Sequence, residues 1–192
     1  MLTIIQKNSF KKFPWKNGKG STLELSINPN ASIDNFDWRL SIATVEDDGI
    51  FSDFSGYTRN LVLIDGEGVV LHHNKNQIDH LKKRLDLSTF DGANKTTAKL
   101  ASGAITDFNL MTRTCDFDGI VETYNGLNRI ILKKSQICFI YGLTNNLEIH
   151  LKDIEDCKIL VVGDLMKLTN NKETGIKVLG ENFIIVYINK LS

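Results

Sequence analysis

Phe36-Asp37-Trp38-Arg39-Leu40-Ser41-Ile42-Ala43 alternates large apolar side chains with polar or small ones over eight residues. Successive side chains on a strand point to opposite faces, so Trp38, Leu40 and Ile42 share one face and Arg39 and Ser41 the other. Thr22-Leu23-Glu24-Leu25-Ser26-Ile27 and Asp107-Phe108-Asn109-Leu110-Met111-Thr112-Arg113 repeat the pattern. Runs at 61–64, 130–132, 137–141, 159–162 and 183–188 are rich in Val, Ile and Phe and predict buried strands. Breaks carrying Gly, Asn or Asp separate them, among them 16–20, 47–49, 65–68, 125–126 and 145–146. The best helical spacing, Ile78, Leu81 and Leu85, covers barely two turns and predicts a short helix with Lys82, Lys83 and Arg84 on its wet face. Many short strands with almost no helix predict an all-β sandwich or barrel.

The chain has 192 residues and a 42% apolar, 24% charged composition, enough for one large or two small cores. Lys and Arg total 23, as do Asp and Glu, so no basic field favours nucleic acid or an anionic membrane. No apolar run approaches the ~20 residues of a membrane helix. The N-terminal apolar run is too short for a secretory signal. The three cysteines, Cys115, Cys138 and Cys157, form no Cys-x-x-Cys pair and no disulfide framework, which predicts a reducing, cytoplasmic setting. Cys138 and Cys157 sit in apolar runs and read as core thiols.

Three chemistries are excluded by pattern. Gly18-Lys19-Gly20-Ser21-Thr22 lacks the Walker spacing and leads into a strand, so it is no phosphate loop. Adjacent His72 and His73 face opposite sides of a strand, and no His, Asp and Glu cluster has metal-ligand spacing; solvated histidines and no metal are expected. No Gly-x-Ser-x-Gly elbow or Cys–His arrangement supports a nucleophile. What remains is the polar faces: Thr22, Glu24 and Ser26; Arg39 and Ser41; Asp107, Asn109, Met111 and Arg113. A solvated sheet face and a polar barrel lumen both produce this pattern.

The order of motifs distinguishes them. Pro14-Trp15-Lys16-Asn17-Gly18-x-Gly20-x-Thr22-x-Glu24, then Trp38–Ala43, then Asp48-Gly49-x-Phe51-Ser52-x-Phe54-x-Gly56-x-x-Arg59, then Phe90-Asp91-Gly92, then Asp107–Arg113 resembles the HutD/Ves family over roughly residues 10–113. The resemblance implies an all-β bicupin: two small, mostly antiparallel, jelly-roll-like β-barrels in one compact chain. The expected division is 1–115 and 116–192, with terminal strands crossing between the two.

By position, the resemblance sets Lys16, Asn17, Glu24, Arg39, Ser41, Arg59, Asp107, Asn109 and Arg113 around the mouth or lumen of the first barrel, walled by Trp15 and Phe51. It implies a regulatory or flux-limiting role in histidine utilisation. The implied partner is a small carboxylate-bearing metabolite, with no cofactor, and a homodimer through β edges is compatible. The alternative is a metal-independent enzyme using Glu24 or Asp107 as base and Lys16 as acid. Lys19 replaces a family glycine; Ser55 and Thr58 stand where Pro and Asp are usual, and Thr114 where a second Arg is common.

Overall fold

The computed structural model describes residues 1–15, 18–74, 77–151, 157–171 and 175–191. Its strands, in chain order, are β1 (Leu2–Ile5), β2 (Lys11–Pro14), β3 (Gly20–Ile27), β4 (Trp38–Val45), β5 (Gly49–Ile50), β6 (Tyr57–Asp65), β7 (Val69–His73), β8 (Gln77–Leu81), β9 (Leu87–Asp91), β10 (Thr96–Leu100), β11 (Ile105–Arg113), β12 (Phe117–Ile131), β13 (Ser135–Gly142), β14 (Leu147–His150), β15 (Cys157–Leu160), β16 (Leu165–Asn171) and β17 (Lys177–Lys190). One turn of 3-10 helix, Lys7–Ser9, follows β1. The expected helix over 78–85 is instead β8 followed by a turn. A strand sends Ile78 and Leu81 to opposite faces, and Ile78 is exposed while Leu81 is buried. Asp86 holds that turn by accepting from the Lys82 and Lys83 amides.

Two units divide the chain: Phe10–Asp118, and Met1–Ser9 together with Gly119–Ser192. A terminal strand crosses to the later unit: β1 pairs with β16, Leu2 opposite Leu168 and Ile5 opposite Leu165. Ladder hydrogen bonding thus assigns the first residues to the later unit.

The Phe10–Asp118 unit contains a six-stranded sheet, order β2-β3-β4-β11-β6-β9, and a four-stranded sheet, order β5-β10-β7-β8. Neighbours run antiparallel in both. Its core takes Val45, Leu61, Leu63, Phe90 and Ile105 from the first sheet and Val69, Leu71, Leu81 and Ala98 from the second. The two sheets therefore close over one interior. A smaller cluster joins Phe36, Tyr57 and Met111, with Phe36 and Tyr57 stacked at 4.3 Å.

In the other unit the sheet order is β1-β16-β13-β17-β14-β15, with β12 also on β17. Cys138, Ile140, Leu147, Ile149, Met166, Val178, Phe183 and Ile185 form its core. Cys138 is buried as expected. Cys157 is exposed, because β15 is a terminal strand of that sheet.

Candidate functional site

Strand register builds the interior of the Phe10–Asp118 unit row by row. Arg39, Met111 and Arg59 lie abreast on β4, β11 and β6; the next row is Ser41, Asn109 and Leu61, with Glu24 of β3 beside Ser41. Ala43, Asp107 and Leu63 form the third, and Val45 with Ile105 the apolar floor. Alternation sends Trp38, Leu40 and Ile42 to the other face, which is buried as well. The polar face is thus no solvated surface: Arg39 and Arg59 keep 6% of their accessible area, Asn109 4% and Asp107 1%.

Burial forces these groups to satisfy one another. The Arg39 Nε donates to Glu24 Oε2 at 2.8 Å, a nearly enclosed ion pair. Arg59 Nη2 donates to Asn109 Oδ1 at 3.3 Å, and the Asn109 amide in turn donates to Asp107 Oδ1. Among the described residues Arg59 Nε has no hydrogen-bond partner. Its guanidinium carbon lies 5.1 Å from the ring centroids of Phe51 and Phe90 and 5.6 Å from that of Phe54. Three quadrupoles supply what water would have supplied, each worth up to about 2 kcal/mol once desolvated. Burial nevertheless pulls the Arg59 guanidinium down to about 10, against the opposing field of Asp107 and with Arg39 adding repulsion. Burial likewise pushes the Asp107 carboxyl up to about 7, with Arg59 and the Asn109 amide opposing.

Local sequence explains how the aromatic cage is set. Gly92 donates to Tyr57 O at 2.8 Å and accepts from Phe54 N at 3.0 Å. A Cβ there would fall 2.2 Å from Phe54 O, so only glycine lets the 51–57 segment lie against it and bring Phe54 to Arg59. At Ser55, where the resemblance leads one to expect proline, the N–H and hydroxyl both donate to Asp53 Oδ1, at 2.8 and 2.6 Å. This Asx turn fixes the corner that proline's ring would fix. Thr58 and Thr114, both expected from the resemblance to depart from the family pattern, hydrogen-bond each other at 3.1 Å on the surface. The Thr114 hydroxyl thus faces Thr58 rather than the interior set.

The other expected residues fall as follows. Arg113 braces the 35–37 loop: Nη2 donates to Asn35 Oδ1 and Phe36 O, each at 2.7 Å, while Nε faces Asp37 and Asp116 at 3.6 and 3.4 Å. It lies apart from the converging set. Trp15 packs on the interior cluster and donates its indole N–H to Thr22 Oγ1 at 2.8 Å. Gly20 accepts from Trp15 N, and its missing Cβ would meet Thr44 O at 2.2 Å. Lys16 and Asn17 lie outside the described residues.

Sequence reasoning missed a second polar string. His73 is buried, not solvated: Nδ1 lies 2.9 Å from Thr96 Oγ1 and Nε2 3.2 Å from Asp79 Oδ2, which also accepts from the Ser88 hydroxyl. Its ring sits 4.4 Å from that of Phe90, on whose ring the Arg59 guanidinium also lies. Burial holds the His73 imidazole below its ordinary value, against the field of Asp79. The period-two reading already opposed His72 to His73, and an apolar neighbour at every second position (Val69, Leu71) was the available signal for burial. Among the described residues no three His, Cys, Asp or Glu gather as a metal cluster, and no helix is long and apolar enough to cross a membrane.

Two antiparallel β units, one closing over an interior lined by charged strand residues, define a two-unit protein of the cupin type. The chain belongs to the HutD family, whose model (described as HutD) matches residues 7–186. It is 29% identical over 194 residues to an uncharacterised 21.2 kDa protein from the hutC 3′ region of Pseudomonas putida, covering 98% of each. To protein Ves of Citrobacter koseri it is 40% identical over 100 residues, 52% of this chain and 51% of Ves. In fold it matches HutD of Pseudomonas fluorescens SBW25 (TM-score 0.85, 23% identity, all of both chains). A nickel-bound pirin, YhhW of Escherichia coli, matches at TM-score 0.67 and 8% identity over all of both chains. Membership places the chain among cupin-like proteins associated with histidine utilisation.

Proposed function

We propose that the Phe10–Asp118 unit binds a small carboxylate-bearing metabolite, an acidic intermediate of histidine breakdown, and so senses or limits flux through that pathway. The observation that carries this reading is the Arg59 guanidinium: buried, caged by three phenylalanines, with an N–H that no acceptor among the described residues meets. A buried donor left open costs about 1–3 kcal/mol, more when charged, and a ligand oxygen would recover it. Arg39 with Glu24, Ser41 and Asn109 would orient the remainder of the ligand, and Phe51 would give an apolar wall.

The test is a thermal-shift and calorimetric screen with histidine, urocanate, formiminoglutamate, formylglutamate and glutamate. At least one acidic compound is expected to raise the Tm at millimolar concentration in the wild type and to do so no longer in Arg59→Met. Equal responses in both proteins, or none in the wild type, would reject the reading. A second reading, acid–base catalysis on the same substrate class, is favoured by the near-neutral Asp107 carboxyl. It requires turnover of the bound compound that Asp107→Asn abolishes while binding persists.

A further inference from the structure

Arg59 and Asp107 share an interior without forming an ion pair with each other. The side chain of Asn109 lies between them, its carbonyl oxygen accepting from Arg59 and its amide donating to Asp107. All three sit on the inward face, Asp107 and Asn109 two residues apart on β11 and Arg59 on the adjoining β6. Among the described residues, the other charged groups of this interior are paired elsewhere. On β3 and β4, Glu24 and Arg39 neutralise each other. On β7 and β8, His73 and Asp79 are engaged with one another and with Thr96 and Ser88.

We propose that a carboxylate docking on Arg59 takes up one proton from solvent at Asp107, so that anion binding and proton binding are coupled. This rests on the reading of Arg59 as the anion site. An incoming carboxylate would leave one guanidinium serving two buried anions, and like charges in one desolvated site cannot both remain ionised. The proton goes to an Asp107 carboxylate oxygen and no other bond changes. Asn109 can turn its amide to accept from the new O–H, and it is then free of its present role toward Arg59 because the ligand has taken that place.

The unliganded site is already set near neutrality, Asp107 being pushed up to about 7 with Arg59 as the main charge pulling it down. An anion that cancels Arg59 raises it further. Below pH 7 the free protein already carries the proton and uptake vanishes; above pH 7 uptake rises toward one and affinity falls, by up to tenfold per pH unit.

The experiment is isothermal titration with N-formyl-L-glutamate and with acetate, neither of which titrates between pH 6 and 9, in buffers of different ionisation enthalpy. At pH 8 the wild type is expected to take up close to one proton per bound anion, and at pH 6 close to none. Kd should rise between pH 7 and 9. Asp107→Asn, which keeps the shape and removes the titration, should bind with no uptake and with a pH-independent Kd. Binding that is pH-independent and proton-neutral in the wild type would overturn the coupling and leave the anion site standing. Absence of binding at millimolar concentration and any pH would overturn both. The wild-type titrations alone decide the matter if the variant fails to fold.

Discussion

At the scale of single residues, two buried ionisable groups bend stability against pH in opposite directions. The Asp107 carboxyl titrates near 3.8 in the unfolded chain and at about 7 in the native unit. Between those values the native state holds a proton that the unfolded chain has released, so stability falls as pH rises from 4 to 7 and levels off above. Three units correspond to about 4 kcal/mol. Asp107→Asn is therefore expected to raise the Tm at pH 8 much more than at pH 4.5, a difference readable by calorimetry; equal shifts at both values would contradict it. His73 acts the other way. Its native value lies below 6.5, so the unfolded chain is protonated first on acidification and stability drops as pH falls below 6.5. Replacing His73 with Gln should flatten that acid limb and leave the alkaline side unchanged.

At the scale of elements, β3, β4 and β11 were legible because alternation with a fixed period survives any context, and β6 through its apolar run at 61–64. What alternation does not encode is whether the polar face meets water or another sheet. Arg39, Ser41, Asp107 and Asn109 carry the same pattern in either case, and the motif order distinguished the two. Side chains that enter the interior from separate elements were invisible for the same reason: Phe90 stands opposite Arg59 on β9, Phe54 arrives through the turn at Gly92, and His73 comes from the second sheet onto the Phe90 ring. Ile78, Leu81 and Leu85 fit a helical spacing by coincidence, since eight residues contain too few repeats to exclude a strand and turn. Arg113 shares the inward parity of Asn109, yet strand-end position gives it to the 35–37 loop.

The Thr58–Thr114 contact offers a direct test of paired replacement. Thr58→Asp and Thr114→Arg should each be neutral or slightly destabilising alone. Together they should show a favourable coupling of about 0.2–1 kcal/mol in a double-mutant cycle by urea denaturation. Additive effects would mean that the two positions are not partners.

At the scale of the whole molecule, the composite unit depends on its first residues. β1 covers one edge of β16; Met1 O accepts from Thr169 N at 2.9 Å, and Lys7 N donates to Asp164 Oδ1 at 2.9 Å. Leu2 packs on the core and Ile5 is half-buried, which together amount to about 2 kcal/mol of apolar burial. Removing residues 1–9 should therefore speed hydrogen exchange at Lys167 and Thr169, whose amides face β1, while amides of β11, such as Asn109, keep their protection. Unchanged exchange at Thr169 would show that β1 is dispensable.

Met1 and Thr169 stand 168 positions apart in sequence. During synthesis the opening strand leaves the ribosome long before its mate exists, and a chain made at ~5–20 residues per second leaves it waiting for roughly 10–30 s. Residues 10–118 can meanwhile collapse around their own sheets, whereas the first five must stay extended and uncommitted. The polar positions in Leu2-Thr3-Ile4-Ile5-Gln6-Lys7 help an unpaired strand to stay unaggregated over that interval, and a translational stall before β16 is made would prolong it.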